Sequence, residues 1–102
     1  MVDVQSLSEL EATPHAVVFP SVEPKTVRLD LTAGESVPPH EHPDREIVLY
    51  ILEGQLDLTV AEETYELTAG DVARFDGAQD ISPTAIEDSR ALLVLAKRCD
   101  RD

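Results

Sequence analysis

The chain has 102 residues and a formal net charge of −13, with 21 Asp and Glu residues against 8 Lys and Arg residues. This length suits a single domain, residues 1–102, and the negative charge argues against nucleic-acid or membrane partners because it repels phosphates. The acidic residues are scattered, and the only lysines are Lys25 and Lys97. We interpret this composition as that of a halophilic archaeal protein, because molar salt shortens the screening length to about 3 Å.

Residues 1–13 are polar and mixed, and we expect them to form a peripheral segment of the domain. The chain has no signal-like N-terminus and no apolar run of the ~20 residues that a membrane span needs, so we expect a cytoplasmic protein. Cys99 is the only cysteine, which excludes an internal disulfide.

Short apolar or alternating segments, separated by turn residues, follow in chain order and predict an all-β domain with a barrel at about residues 16–97. A continuous apolar run at 47–52 predicts a strand buried on both faces, and residues 76–83 are predicted to form a loop. About eight short strands, with turn signals every ~8–12 residues, indicate a sandwich or barrel. The clearest predicted strands are 16–19, 27–32, 47–52, 56–60, 65–67, 72–75 and 91–96.

The candidate site begins in a proline-rich stretch that contains His40 and His42. Alternate residues of an extended chain point to the same side, and Glu46 has the same parity as the two histidines. Two imidazoles and one carboxylate on one face form the ligand set of a divalent metal site with open positions, suited to Fe, Mn, Ni or Zn. The alternative is a solvated loop in a highly charged protein.

The stretch from Gly34 to Glu46, followed by residues 50–54, resembles the first motif of the cupin family, and residues 67–72 resemble the start of its second motif. The resemblance implies a jelly-roll β-barrel, commonly a homodimer. It also implies that His40, His42 and Glu46 occupy three of the metal-binding positions of the family.

Two positions depart from the family pattern. Seven residues separate Glu46 from Gly54, one more than in the family, so counting back from Gly54 places the ligand position at Ile47. A β-bulge between Glu46 and Gly54 would keep Glu46 facing inward. The remaining ligand position, a histidine in the family, is Ile81, which cannot bind a metal.

Three functions remain open from the sequence. The first is a barrel that binds a small molecule or a divalent metal in its interior. The second is a metal-dependent enzyme, such as a dioxygenase, isomerase or decarboxylase of a small organic substrate, and the third is a dimeric structural or regulatory module without metal. Other residues have structural interpretations beside functional ones: His15 as a surface or packed residue, Tyr50 as a core residue, and Arg28, Arg45 and Arg74 as surface ion pairs.

Overall fold

The computed structural model describes residues 2–98, and these form an all-β domain with one short 3-10 helix at Leu7–Glu9. Within this range no helix has the length and apolar character needed to span a membrane. The strands are β1 (His15–Val17), β2 (Lys25–Leu31), β3 (Arg45–Glu53), β4 (Gln55–Val60), β5 (Glu63–Thr68), β6 (Val72–Asp76), β7 (Ile81–Ala85) and β8 (Ser89–Lys97). Cys99 lies outside the described residues.

The strands form two facing antiparallel sheets. The larger sheet has the order β1-β2-β8-β3-β6, and the smaller sheet has the order β5-β4-β7. The smaller sheet is extended beyond β7 by the segment 36–40, which pairs with it at two isolated bridges. This arrangement is a jelly roll and confirms the predicted fold class.

The core lies between the sheets and consists of aliphatic side chains. On β3, Ile47, Leu49 and Ile51 point inward and are almost completely buried. They face Leu56 and Leu58 of β4, which are equally buried. Because each such side chain stabilises the fold by about 1.5–3 kcal/mol, strict alternation on β3 fixes which face of the sheet turns inward.

The opposite face of β3 is open to solvent, so the prediction of a strand buried on both faces is wrong. Val48 and Tyr50 are 37% and 40% exposed, respectively. The continuous apolar run is typical of a doubly covered strand, but here its second face lies on the outside of the barrel. Tyr50 is therefore not a core residue.

Residues 81–85 form strand β7, so the prediction of a loop over 76–83 is wrong at its end. Pro83 has no N–H to donate, but its carbonyl oxygen accepts a hydrogen bond of 3.0 Å from the Val37 N–H. The neighbouring segment meets β7 only at isolated bridges, so the missing donor interrupts no continuous ladder.

Arg28 ties the N-terminal segment to the outer face of the larger sheet. Its guanidinium donates hydrogen bonds to the carbonyl oxygens of Leu7, Leu10 and Ala12 at 3.0, 3.4 and 3.0 Å. The side chain is 1% exposed. These contacts hold Arg28 away from the barrel interior, so its role is structural.

Candidate functional site

A cavity of about 440 Å³ lies between the two sheets. Its buried walls are apolar and include Val27, Leu29, Ile47, Leu49 and Ile81. Four lining residues are basic or titratable, and all of them retain some solvent exposure: His15, Lys25, His40 and His42. The cavity therefore has an apolar closed end and a polar open end.

His40 is positioned by the bridge between its segment and β7. The His40 N–H donates to the Ile81 carbonyl oxygen at 3.1 Å, and the Ile81 N–H donates back at 2.8 Å. The imidazole Nδ1 lies 3.0 Å from the carbonyl oxygen of Pro38. Because a carbonyl oxygen only accepts, this contact requires a proton on Nδ1, so the lone pair of a neutral His40 imidazole would be on Nε2.

His42 is positioned by a close approach of two backbones at Gly77. The His42 N–H donates to the Gly77 carbonyl oxygen at 2.7 Å, and the Gly77 N–H donates to the Arg45 carbonyl oxygen at 2.8 Å. A Cβ atom at Gly77 would lie 2.5 Å from the His42 carbonyl oxygen. Only glycine therefore fits here, and this supporting role is not evident from the sequence.

His15 joins the other two histidines, although the sequence analysis treats it as a surface or packed residue. Its ring centroid lies 6.4 Å from that of His40, and the His40 centroid lies 4.8 Å from that of His42. Both ring pairs are nearly perpendicular, at 85° and 89°. His15 reaches this row because β1 pairs with β2 in a register that sets His15 opposite Leu29.

The electrostatic environment at the open end disfavours additional positive charge. Partial burial lowers the pKa of His15, and the neighbouring His40 and Lys25 lower it further. Burial likewise lowers the pKa of His42, with smaller contributions from His40, Lys25, His15 and Arg45. Both imidazoles are thereby held toward the neutral form, in which one ring nitrogen can accept a hydrogen bond.

Glu46 does not join the histidines, and the expectation that it shares their face is wrong. It precedes the inward-facing Ile47, and its carboxylate lies on the outer face, 3.1 Å from the Arg74 guanidinium and 3.9 Å from that of Arg98. The pairing of β3 with β8 does shift register, but the shift lies between Ile51 and Glu53. This register shift comes after the inward-facing residues Ile47, Leu49 and Ile51, so it does not change the inward orientation of Ile47.

The described residues do not fit the ligand set that the cupin resemblance implies for a metal. Beside His40 and His42, the inward positions are filled by Ile47 and Ile81, which are 0% and 3% exposed. Within residues 2–98 no three His, Cys, Asp or Glu side chains are grouped so that they could hold a metal ion. An aliphatic side chain offers no lone pair, so imidazoles are the only side chains of the described cavity lining that are typical metal ligands.

Arg45 and Arg74 are engaged in ion pairs, as predicted, whereas the same prediction is wrong for Arg28, which is buried and bonds to backbone carbonyl oxygens. Arg45 forms a two-pronged contact with Glu23 at 2.8 and 3.2 Å and donates to the Leu95 carbonyl oxygen at 2.6 Å. Arg74 pairs with Glu46 on the outer face. Neither guanidinium lines the cavity, in contrast to Lys25.

A family model described as a cupin domain matches residues 27–95, which covers both motif segments and the strands that carry them. The chain belongs to the cupin family. No match was found among curated proteins.

Solved structures support the cupin fold. A predicted oxalate decarboxylase from Thermotoga maritima aligns with a TM-score of 0.81 at 22% identity, over 94% of this chain and 100% of that chain. KdgF from Halomonas sp. aligns with a TM-score of 0.80 at 18% identity, over 98% and 97% of the two chains. The cupin domain of Schizosaccharomyces pombe Cnp3 aligns with a TM-score of 0.81 at 21% identity, over 91% and 72%. At sequence identities of 18–22%, the similarity to these three structures shows a shared fold and nothing beyond it.

Proposed function

We propose that this cupin binds a small, largely apolar organic molecule in its barrel, with the polar end of the ligand at the row of histidines. The cavity carries this proposal. Its volume of about 440 Å³ lies in the usual range of ligand pockets, about 300–1,000 Å³. Such pockets combine apolar walls with a few convergent polar groups, as this one does.

Binding is favoured over catalysis by the groups that the cavity contains. The dioxygenase, isomerase and decarboxylase chemistries implied by the family depend on a metal with open positions. The third and fourth ligand positions hold Ile47 and Ile81, so the cavity offers packing surface where that chemistry needs donors. Apolar area removed from water contributes about 25 cal/mol per Å², which suits these walls to a hydrophobic ligand.

A matched pair of substitutions on β8 tests the proposal. Leu93 lines the cavity, whereas its neighbour Val94 has the opposite parity and lies toward the outer face. Fluorescence titration with the neutral dye phenylnaphthylamine would measure binding, with excitation beyond the absorption of tryptophan. We expect Leu93→Trp to abolish binding and Val94→Trp to preserve it, because only the first indole enters the cavity.

Thermal melting of both variants serves as the control for folding, with the milder Leu93→Phe as a replacement if Leu93→Trp does not fold. Equal dye affinity in the two folded variants would contradict the proposal, because the dye would then lie outside the barrel.

A divalent metal held by His40 and His42 is the second candidate. One observation favours it: the bond from Nδ1 to the Pro38 carbonyl oxygen leaves His40 Nε2 ready to ligate, in the manner of metal-binding histidines. With Glu46 on the outer face, we expect only weak and sub-stoichiometric metal in untagged protein. Stoichiometric metal that is lost in a His40→Ala, His42→Ala double variant would establish this second candidate.

A further inference from the structure

We propose that the ligand of the barrel carries a single negative charge on its polar end, such as a carboxylate or sulfonate, and that Lys25, His15 and His42 hold this group at the open end. This inference rests on the proposed function and names the ligand class of the same cavity. It also differs from the metal cation that the cupin fold implies.

The first observation is the absence of acidic side chains from the cavity. The chain contains 21 Asp and Glu residues, yet none of the described residues that line the cavity is acidic. The polar lining consists of one ammonium group and three imidazoles. In a protein with a net charge of −13, this local composition creates an anion-compatible end on an otherwise negative molecule.

The second observation concerns the charge of Lys25. The ion pairs among residues 2–98 involve Arg45, Arg74, Arg90 and Arg98, and none of them includes Lys25. Lys25 shares its parity on β2 with the inward-facing Val27, and its side chain lines the cavity. Its charge therefore remains available to a ligand.

Lys25 also acts on two of the histidines. Burial is the largest cause of the lowered pKa of His15 and of His42, and Lys25 is a smaller cause in both. The positive field of Lys25, which opposes a proton on these imidazoles, stabilises an anion at the same position. Each neutral imidazole also has one N–H group, and that of His42 or His15 can donate to an oxyanion.

The third observation is the apolar wall behind these groups. Ile47 and Ile81 lie in the cavity lining where a metal cupin would place donors, so this part of the cavity offers nothing to a cation. An amphipathic anion fits the arrangement, with its apolar body against the isoleucines and its charge toward Lys25. Low local polarity strengthens such an ion pair relative to one in water.

Two dyes with one skeleton separate the charge from the cavity. Anilinonaphthalene sulfonate carries a sulfonate, and phenylnaphthylamine is the same molecule without it. Both would be titrated by fluorescence, at one salt concentration, into wild type, Lys25→Gln and Lys97→Gln. Lys97 is the matched control, because it is the other lysine and does not line the cavity, and both substitutions change the net charge equally.

We expect Lys25→Gln to weaken binding of the sulfonate dye about fivefold, the upper range for a partly exposed ion pair, and to leave the neutral dye unchanged. Lys97→Gln should change neither affinity. Equal weakening of the sulfonate dye by both substitutions, or no weakening by Lys25→Gln, would overturn the anion proposal while neutral-dye binding still supports the cavity. Sulfonate binding that survives Leu93→Trp would also overturn it, because the dye would then occupy another surface.

Discussion

His15 and His42 are harder to protonate in the folded chain than in an unfolded one, since burial and nearby positive groups lower the pKa of each. A group with a lowered folded pKa contributes its full stability above its unfolded pKa, about 6.5 for histidine. That contribution is lost as the pH falls from there through the folded pKa.

We therefore predict that the free energy of unfolding decreases between about pH 7.5 and about pH 5.5, and that His15→Gln and His42→Gln each reduce this slope. Urea unfolding at both pH values measures it. The lower limit of about pH 5.5 lies above the pH range in which Glu23 and Asp76 titrate, because hydrogen bonds to Arg45 and Arg98, respectively, lower the pKa values of these carboxyl groups. A slope unaffected by either substitution would show that the imidazoles are not in the described environment.

The placement of Glu46 shows why the candidate site was only partly predictable from sequence. Parity fixes a shared face only while the chain stays extended, and a shift by one residue moves a side chain to the opposite face. The spacing to Gly54 did indicate the inward-facing residue correctly, because counting back from Gly54 gives Ile47 and not Glu46. His15 and Lys25 lie far from the motif in sequence. The pairing of β1 with β2 places His15 at the cavity that His40 and His42 line, and the pairing of β2 with β8 places Lys25 there.

Among the elements, the turn between β3 and β4 depends on a glycine for two separate reasons. Gly54 has a φ of +88°, and a Cβ atom there would lie 2.3 Å from the Asp88 carbonyl oxygen and from Ser89 Oγ. Gly70, in the turn before β6, has a φ of +95° with open space around it. A side chain at Gly70 would therefore meet backbone strain alone, whereas one at Gly54 would meet backbone strain and steric overlap.

We predict that Gly70→Ala costs about 1–2 kcal/mol of unfolding free energy, from the left-handed backbone alone. Gly54→Ala should cost about 3 kcal/mol or more, because overlap with Asp88 and Ser89 is added to the same strain. Urea unfolding of both variants measures the difference. An equal loss of unfolding free energy in the two variants would mean that Asp88 and Ser89, at the start of β8, do not pack against Gly54 as described.

Most of the strands were predictable from sequence, because alternation of apolar and polar residues follows directly from one buried face. β4 illustrates this, with buried residues at every second position. β7 was missed because Pro83 is a strong turn signal. The strand can contain this proline because the neighbouring segment pairs with β7 only at isolated bridges. The exposed outer face of β3 was missed because an apolar run carries no sign of which face is covered.

For the whole molecule, the net charge of −13 acts as a destabilising self-repulsion at low ionic strength. We predict a marked rise in melting temperature from low to molar salt, because the screening length falls to about 3 Å at 1 M. Thermal denaturation in sodium chloride measures this. Equal melting temperatures at both extremes would refute adaptation to high salt, which stays a prediction, as does the homodimer.

A crystal structure of the protein with anilinonaphthalene sulfonate tests most directly whether a ligand binds inside the barrel. We predict aromatic rings between Ile47 and Ile81, with the sulfonate within hydrogen-bond distance of Lys25 or a histidine. Dye bound only to the outer face, at Val48 and Tyr50, with an unchanged interior, would contradict it.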